Sequence, residues 1–383
     1  MTPARALPQA AGPLDDALAA RTAGPGWLSL ALLDARNHLL HALAGFEAPG
    51  VPPGLRALAW QGALRSAAFQ ERWLLHRPSS EAGLDGAEAQ AWMAETLEAA
   101  LEQLDGPGGS LDAAERVARA HQALLHEDRL GEHLAVLLQR GAPPARGQRP
   151  PLWLPATRWQ MGAGTGEPGV PFNEWGREEA AVPEFEIDAQ PVNWQQYSEF
   201  AADGGYDRPE LWGEAGWQWL QARADVRGSA AEEAGARRAP RHVAQLLGGV
   251  LVQRGQVGGA GLQRAAPGQA VMHVSRFEAQ AWCRWAGRRL PTEPEWVIAA
   301  ATAASRGFVW GDVFEWVAGS ARAWPGAGPA PAGCVDLPPP AGSQAVLSGA
   351  SFATRRRRHH PHARRFAPPG HDHAFCGFRS CAV

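Results

Sequence analysis

GAPPARGQRPP, residues 141–151, divides this chain into two unlike halves. Its prolines cannot continue a helix and its glycines resist ordering, so the stretch reads as a linker. On its N-terminal side the apolar residues keep a helical period. Leu28, Leu32, Leu33, Leu39, Leu40 and Leu43 recur at three- and four-residue spacing and predict a first helix. A second is expected from Leu55 to His76, around Leu58, Phe69, Trp73 and Leu74, and a third from Gly86 to Leu104, ended by DGPGGS. The fourth starts after Ser110, read as its N-cap, and runs to about Gln139. Four helices with modest loops predict an up-and-down bundle over residues 26–140. Residues 1–25, rich in Pro, Ala and Gly, read as a flexible leader.

On the C-terminal side the period becomes short and broken: WLPATRWQMGAG, FEIDAQPVNWQQYSEF, AVLSGASF, FCGFRSCAV. Short strands with Gly and Pro corners and few long helices predict a loop-rich α+β domain over residues 152–383. Within it, Ala224 to Gly268 is biased toward Ala, Gly and Arg and reads as a surface insertion with one short helix.

A chain of 383 residues can hold two cores. A formal net charge of −3 argues for neither a nucleic-acid partner nor an anionic membrane surface. All 36 basic side chains are arginine, which with the Ala, Gly and Pro content reads as a compositional bias. No stretch reaches the ~18 apolar residues of a membrane helix, and the N-terminus lacks the apolar run of a signal peptide. Cys283, Cys334, Cys376 and Cys381 form no CxxC pair, so free or buried thiols in a reduced, cytoplasmic setting are expected. Seventeen tryptophans against two tyrosines suit irregular structure built on aromatic anchors.

Several segments of the second half resemble the sulfatase-modifying-factor domain shared by formylglycine-generating enzymes and sulfoxide synthases. They are IDAQPVNWQQYSEF (187–200), GGYDRPELW (204–212), HVSRFEAQAWCRWAGRRLPTEPEW (273–296), WGDVFEW (310–316), GASFAT (349–354) and GFRSCA (377–382). The first half carries ARNHLLHALAGFE (35–47), FQERW (69–73) and LLHEDRLGEHLAVLLQ (124–139), which resemble the companion domain of ergothioneine-type synthases. RRFAPPGHDHAFCGFRS (364–380) is similar to the selenoneine-synthase branch. The resemblance implies a four-helix DinB-like bundle followed by a C-type-lectin-like, formylglycine-generating-enzyme-like α+β domain, with a ligand cleft between them. It implies joining of a sulfur or selenium donor to the imidazole of hercynine, a trimethylated histidine betaine, with O2 at a non-haem Fe(II).

In that family three histidines hold the iron, one from the second helix and two from HxxxHxE on the fourth; residues i and i+4 share a helix face. HEDRLGE puts His126 at the first histidine and Glu132 at the acid, but Leu130 at the second histidine. Anchoring on FQERW puts Arg65 at the remaining ligand. A guanidinium ~6 Å from a divalent ion costs on the order of 5 kcal/mol at an effective dielectric of ~20. The family's active-site tyrosine is also missing from residues 317–344. The expectation is therefore a lost iron site. Arg65, on the stripe of Phe69 and Trp73, is expected to turn inward and pair with Glu132. The alternative to the synthase activity is an inactive paralogue that keeps the cleft for a ligand or partner.

Other groups fit an anion or substrate site: Arg65, Asn37, Arg364, Arg365, Phe366 and Asp372. Arg355 to Arg358 could clamp a carboxylate or phosphate bidentately, or form a solvated loop. His359, His360, His362, His371 and His373 offer imidazoles for a different metal. The copper-binding cysteine pair of formylglycine-generating enzymes has no counterpart in residues 355–366. One or two of Trp212, Trp217, Trp219, Trp316 and Trp324 could present a ring face to a quaternary ammonium, though most are expected in the core.

Overall fold

The computed structural model describes residues 12–78, 86–106, 111–225, 237–254, 261–330, 342 and 344–383. Its N-terminal part is helical: α1 (Ala17–Thr22), α2 (Pro25–Ala44), α3 (Pro53–Trp73), α4 (Gly86–Asp105) and α5 (Ala113–Leu137). Proline at the first turn starts α2 and α3, where its missing N–H is no loss. Asp112, whose carboxylate accepts from the backbone N–H of Glu115, caps α5; Ser110, expected there, lies outside the described residues. Helix α2 packs on α5 and α4, and α3 on the same two. The core is lined by Leu28, Leu32, Phe69, Leu97 and Leu124 at one end and by Leu39, Phe46, Ala63, Met93 and Leu134 at the other.

One polar network crosses this core. Arg36 donates to Glu127 at 2.5 Å and to Gln70 at 2.9 Å, and all three are buried. The motif segments ARNHLL, FQERW and HEDR thus meet in a satisfied ion network, which fixes the three helices to one another.

The leader expected at residues 1–25 is structured where it is described. Helix α1 lies against the 3-10 turn Arg356–Arg358, and Arg21 pairs with Glu174 at 2.6 Å. The 141–151 segment is likewise an extended strap rather than a loose tether. Arg146 pairs bidentately with Asp312 at 2.6 and 2.8 Å, and the Pro143 carbonyl accepts from Gln269. Gly141 opens the strap with φ of +88°, where a Cβ would stand 2.9 Å from the Phe352 ring.

The second part contains β1 (Leu152–Leu154), β2 (Thr157–Ala163), β3 (Gly176–Val182), β4 (Phe185–Ile187), α6 (Trp194–Ala202) and α7 (Pro209–Asp225). Next come β5 (Val243–Gln245), β6 (Leu251–Arg254), β7 (Gly261–Arg264), α8 (Arg276–Trp285) and α9 (Glu293–Thr302). The last strands are β8 (Phe314–Trp316), β9 (Ala345–Ser348), β10 (Arg364–Ala367) and β11 (Cys376–Gly377). Strands β10, β9, β8 and β11 form one mixed sheet, β2 and β3 a hairpin, and β1 pairs with β4. Antiparallel β5, β6 and β7 occupy the stretch expected to be an insertion with a short helix. That expectation is corrected among the described residues; residues 226–236 and 255–260 lie outside them.

Capping boxes start three helices: Asn193 with Gln196, Ser275 with Glu278, and Thr292 with Glu295. Trp194, Trp212, Trp296 and Trp316 are fully buried, as anchors of a loop-rich domain should be. Arg379 and Glu315, each 0 % exposed, pair beneath them at 2.5 and 2.7 Å, and the Trp296 indole also donates to Glu315. Cys283, Cys376 and Cys381 are buried thiols, with burial pushing each pKa up; Cys334 lies outside the described residues. No helix among the described residues is long and apolar enough to cross a membrane.

Candidate functional site

The two parts meet along the face of α5 that carries Leu125, Asp128, Arg129 and Glu132. GASFAT and the arginine run that follows it supply the opposing wall. Ser351 and Thr354 close a turn in which the Thr354 N–H donates to the Ser351 carbonyl at 3.0 Å. The turn presents both hydroxyls to Glu132, Thr354 at 3.0 Å and Ser351 at 3.5 Å. Arg365 completes the cage, donating to Glu132 at 2.8 Å while its guanidinium lies over the Phe314 ring.

One helical turn earlier, Asp128 receives a bidentate guanidinium from Arg357 at 2.9 and 2.6 Å and a third bond from Arg358 at 2.9 Å. Arg357 also reaches Asp34 on α2 at 2.6 Å, where Arg355 joins it. Burial works to raise the Asp34 pKa, but the Arg357 hydrogen bond and both arginine charges outweigh it and hold the carboxyl below its usual range. The run read from sequence as a solvated loop or ligand clamp is mostly spent on the protein's own acids; of its four arginines only Arg356 is exposed.

The expected iron ligands lie elsewhere. The His126 ring stacks flat on Phe69, and its Nδ1 lies 3.2 Å from the Ser66 hydroxyl. Burial, then the charges of Arg129 and Arg72, lowers its pKa to about 4, so it is neutral at pH 7. Arg65 is exposed and does not approach Glu132. The expected inward turn fails because Ser66, one residue on, occupies the face toward α5. Leu130 packs on α3, 2.9 Å from where a Cβ on Gly62 would stand. Ser66, Leu130 and two neighbouring guanidinium groups around one stacked imidazole do not fit a non-haem Fe(II).

The remaining candidates scatter. Asn37 is exposed in a groove between α2 and α4, while the adjacent His38 is half-buried near Asp34 and Asp128. Arg364 is buried against Glu293 at 2.8 Å and lies over the rings of Trp324 and Phe366. Asp372 is fully buried and binds Arg237 at 2.6 Å. Arg237 also covers the Trp219 ring, and Arg322 shares Trp324 with Arg364, so guanidinium groups already lie over two of the five tryptophans offered for a quaternary ammonium. The loop histidines diverge: His359 bonds the Thr354 carbonyl, His360 accepts from the His362 N–H, and His371 and His373 sit beside Asp372. Among the described residues no three His, Cys, Asp or Glu side chains are grouped to hold a metal ion. Where α5 faces the arginine run the space between the parts is a cavity of about 40 Å³, and a wider groove of about 1060 Å³ opens between them, lined by α1, His121, β2, His360 and His362. Asp34, Asp128 and Ser66, which sequence reasoning passed over, build this region; the aspartate of HEDR, two residues past His126, was the available signal.

Residues 144–312 match the sulfatase-modifying factor enzyme 1-like domain. The sulfatase-modifying-factor-like part and its helical partner together are similar to hercynine oxygenases. The Mycolicibacterium smegmatis enzyme is 28% identical over 359 residues, covering 77% of this chain and 78% of that one. The Mycobacterium tuberculosis enzyme is 29% identical over 242 residues, and that match spans only 52% of either chain. Inactive C-alpha-formylglycine-generating enzyme 2 of Bos taurus is 32% identical over 172 residues, 43% of this chain and 50% of that one.

Proposed function

We propose that this chain is a non-catalytic relative of the hercynine oxygenases whose interdomain joint binds a small ligand instead of supporting iron chemistry. The observation that carries this reading is His126, stacked on Phe69 with Ser66 at its Nδ1. One imidazole, a hydroxyl and a leucine supply one of the three ligands that the resemblance implies. The missing tyrosine in residues 317–344 supports the same reading from a separate part of the chain. So does the similarity to a bovine relative named as inactive, since the domain then has a non-catalytic form.

The second reading is O2-dependent bond formation between hercynine and a sulfur or selenium donor. The match to the smegmatis oxygenase, which extends beyond the second domain, favours it. One experiment separates the two. The full chain is loaded anaerobically with Fe(II), desalted, analysed for metal, and then incubated with O2, hercynine and a thiol or selenol. We expect well under one iron per chain and no coupled product by mass spectrometry. One iron per chain with product would establish the synthase reading instead.

A further inference from the structure

The joint encloses more positive than negative charge. Arg355, Arg357, Arg358 and Arg365 reach it from the second domain. Among the described residues, the carboxylates bound to the first four are Asp34, Asp128 and Glu132, with Asp34 and Asp128 each shared between two arginines. Two other arginines on the cavity wall leave the balance unchanged, because Arg21 has Glu174 and Arg364 has Glu293. Nη2 of Arg358 and Nε of Arg355 are buried with no hydrogen-bond partner among the described residues. Buried donors on a charged group are costly to leave unmet. Burial, ahead of any neighbouring charge, also lowers the pKa of Arg358.

The cavity among these groups measures about 40 Å³. A single water needs ~10–15 Å³ on that measure, so the space suits a cluster of roughly three or four oxygen-sized atoms. That is the size of a tetrahedral oxyanion and well short of a trimethylated histidine.

We propose that the joint binds a small inorganic oxyanion of the phosphate or sulfate class, with Arg358 and Arg355 as its principal donors. Guanidinium groups match such oxygens bidentately, and an anion supplies charge that the three carboxylates do not. This rests on reading the joint as a binding site, and it names the ligand class. Bound there, the anion would fasten the 3-10 turn to α5.

Thermal unfolding of the full chain, titrated with sodium sulfate or phosphate against sodium chloride at matched ionic strength, tests it. A saturable rise in Tm specific to the oxyanion is expected. Arg358→Leu should weaken the apparent affinity at least tenfold, and so should Arg355→Gln, whose partly exposed side chain makes it the safer variant for folding. Arg356→Gln, exposed in the same turn, should leave the response unchanged. A response no different from chloride, or one retained in both Arg358→Leu and Arg355→Gln, overturns the proposal. The iron measurement is independent of it. Stoichiometric Fe(II) with an intact sulfate response would sink the non-catalytic reading and leave the anion site standing. Neither iron nor a sulfate response would do the reverse.

Discussion

The imidazole of His126 lies parallel to the ring of Phe69, 4.6 Å between centroids and 4° between planes. A histidine held this way is packed as an aromatic, and its Nδ1 is directed at Ser66 on the facing helix.

That geometry says which residues would rebuild a metal site. Ser66 and Leu130, rather than Arg65 and Leu130, share a face with His126. Ser66→His with Leu130→His should therefore create a three-imidazole set that binds Co(II), with visible d–d absorption near one equivalent. Arg65→His with Leu130→His should not. Equal uptake by the two double variants would refute the helix register described here.

Asp128 neutralises Arg357, whose side chain is wholly buried, and shares Arg358. Asp128→Ala should destabilise the protein by ~3–5 kcal/mol, since it leaves buried guanidinium charge without its acid. Chemical denaturation gives the magnitude. Faster proteolysis within residues 141–151 should accompany it, because the strap is protected by the joint it spans. A loss below ~1 kcal/mol would mean that Asp34 alone can hold the arginine run.

Arg379 and Glu315 make a second test of the same physics inside one domain. Arg379→Met should cost ~3–5 kcal/mol by stranding Glu315, whereas Arg379→Met with Glu315→Leu should recover much of that loss. If the double variant is as unstable as the single, the pair matters through its bonds to the backbone of Asp188 and Val309.

Acid should unfold the protein through its buried histidines. Burial lowers the pKa of His121 to about 4 and of His273 to about 3, with Arg358 adding to the first effect and His242 to the second. Their unfolded pKa is ~6.5, so between that value and about 4 the unfolded chain binds more protons than the native one. Stability is complete above the unfolded value and falls with pH across this window, by up to ~1.4 kcal/mol per pH unit for each such histidine. Denaturation at pH 7, 5.5 and 4.5 should show that slope, and His273→Gln should reduce it. An unchanged slope in the variant would exclude His273 as a contributor.

Much of the architecture could be read from residues alone. The leucine period gave four long helices near their observed bounds, and the broken period beyond residue 151 gave short strands. The insertion was misread because Ala, Gly and Arg carry little strand signal, while Val243, Leu251, Val252 and Leu262 are too few to set a period. The joint was less legible. A run of four arginines has no partner in its own sequence neighbourhood, and the acids that receive it lie on α2 and α5. Arg65 was misplaced by one position, and a one-residue error on a helix turns a side chain by ~100°.

The clamp on Asp34 and Asp128 joins residues 323 and 229 positions apart. During synthesis the helical part can complete its own packing before Arg355 to Arg358 have left the ribosome. Its acidic α5 face must meanwhile stay in water. Closure thus waits for the arginine run to emerge, and a chain truncated before Arg355 should yield helices that fold yet never dock.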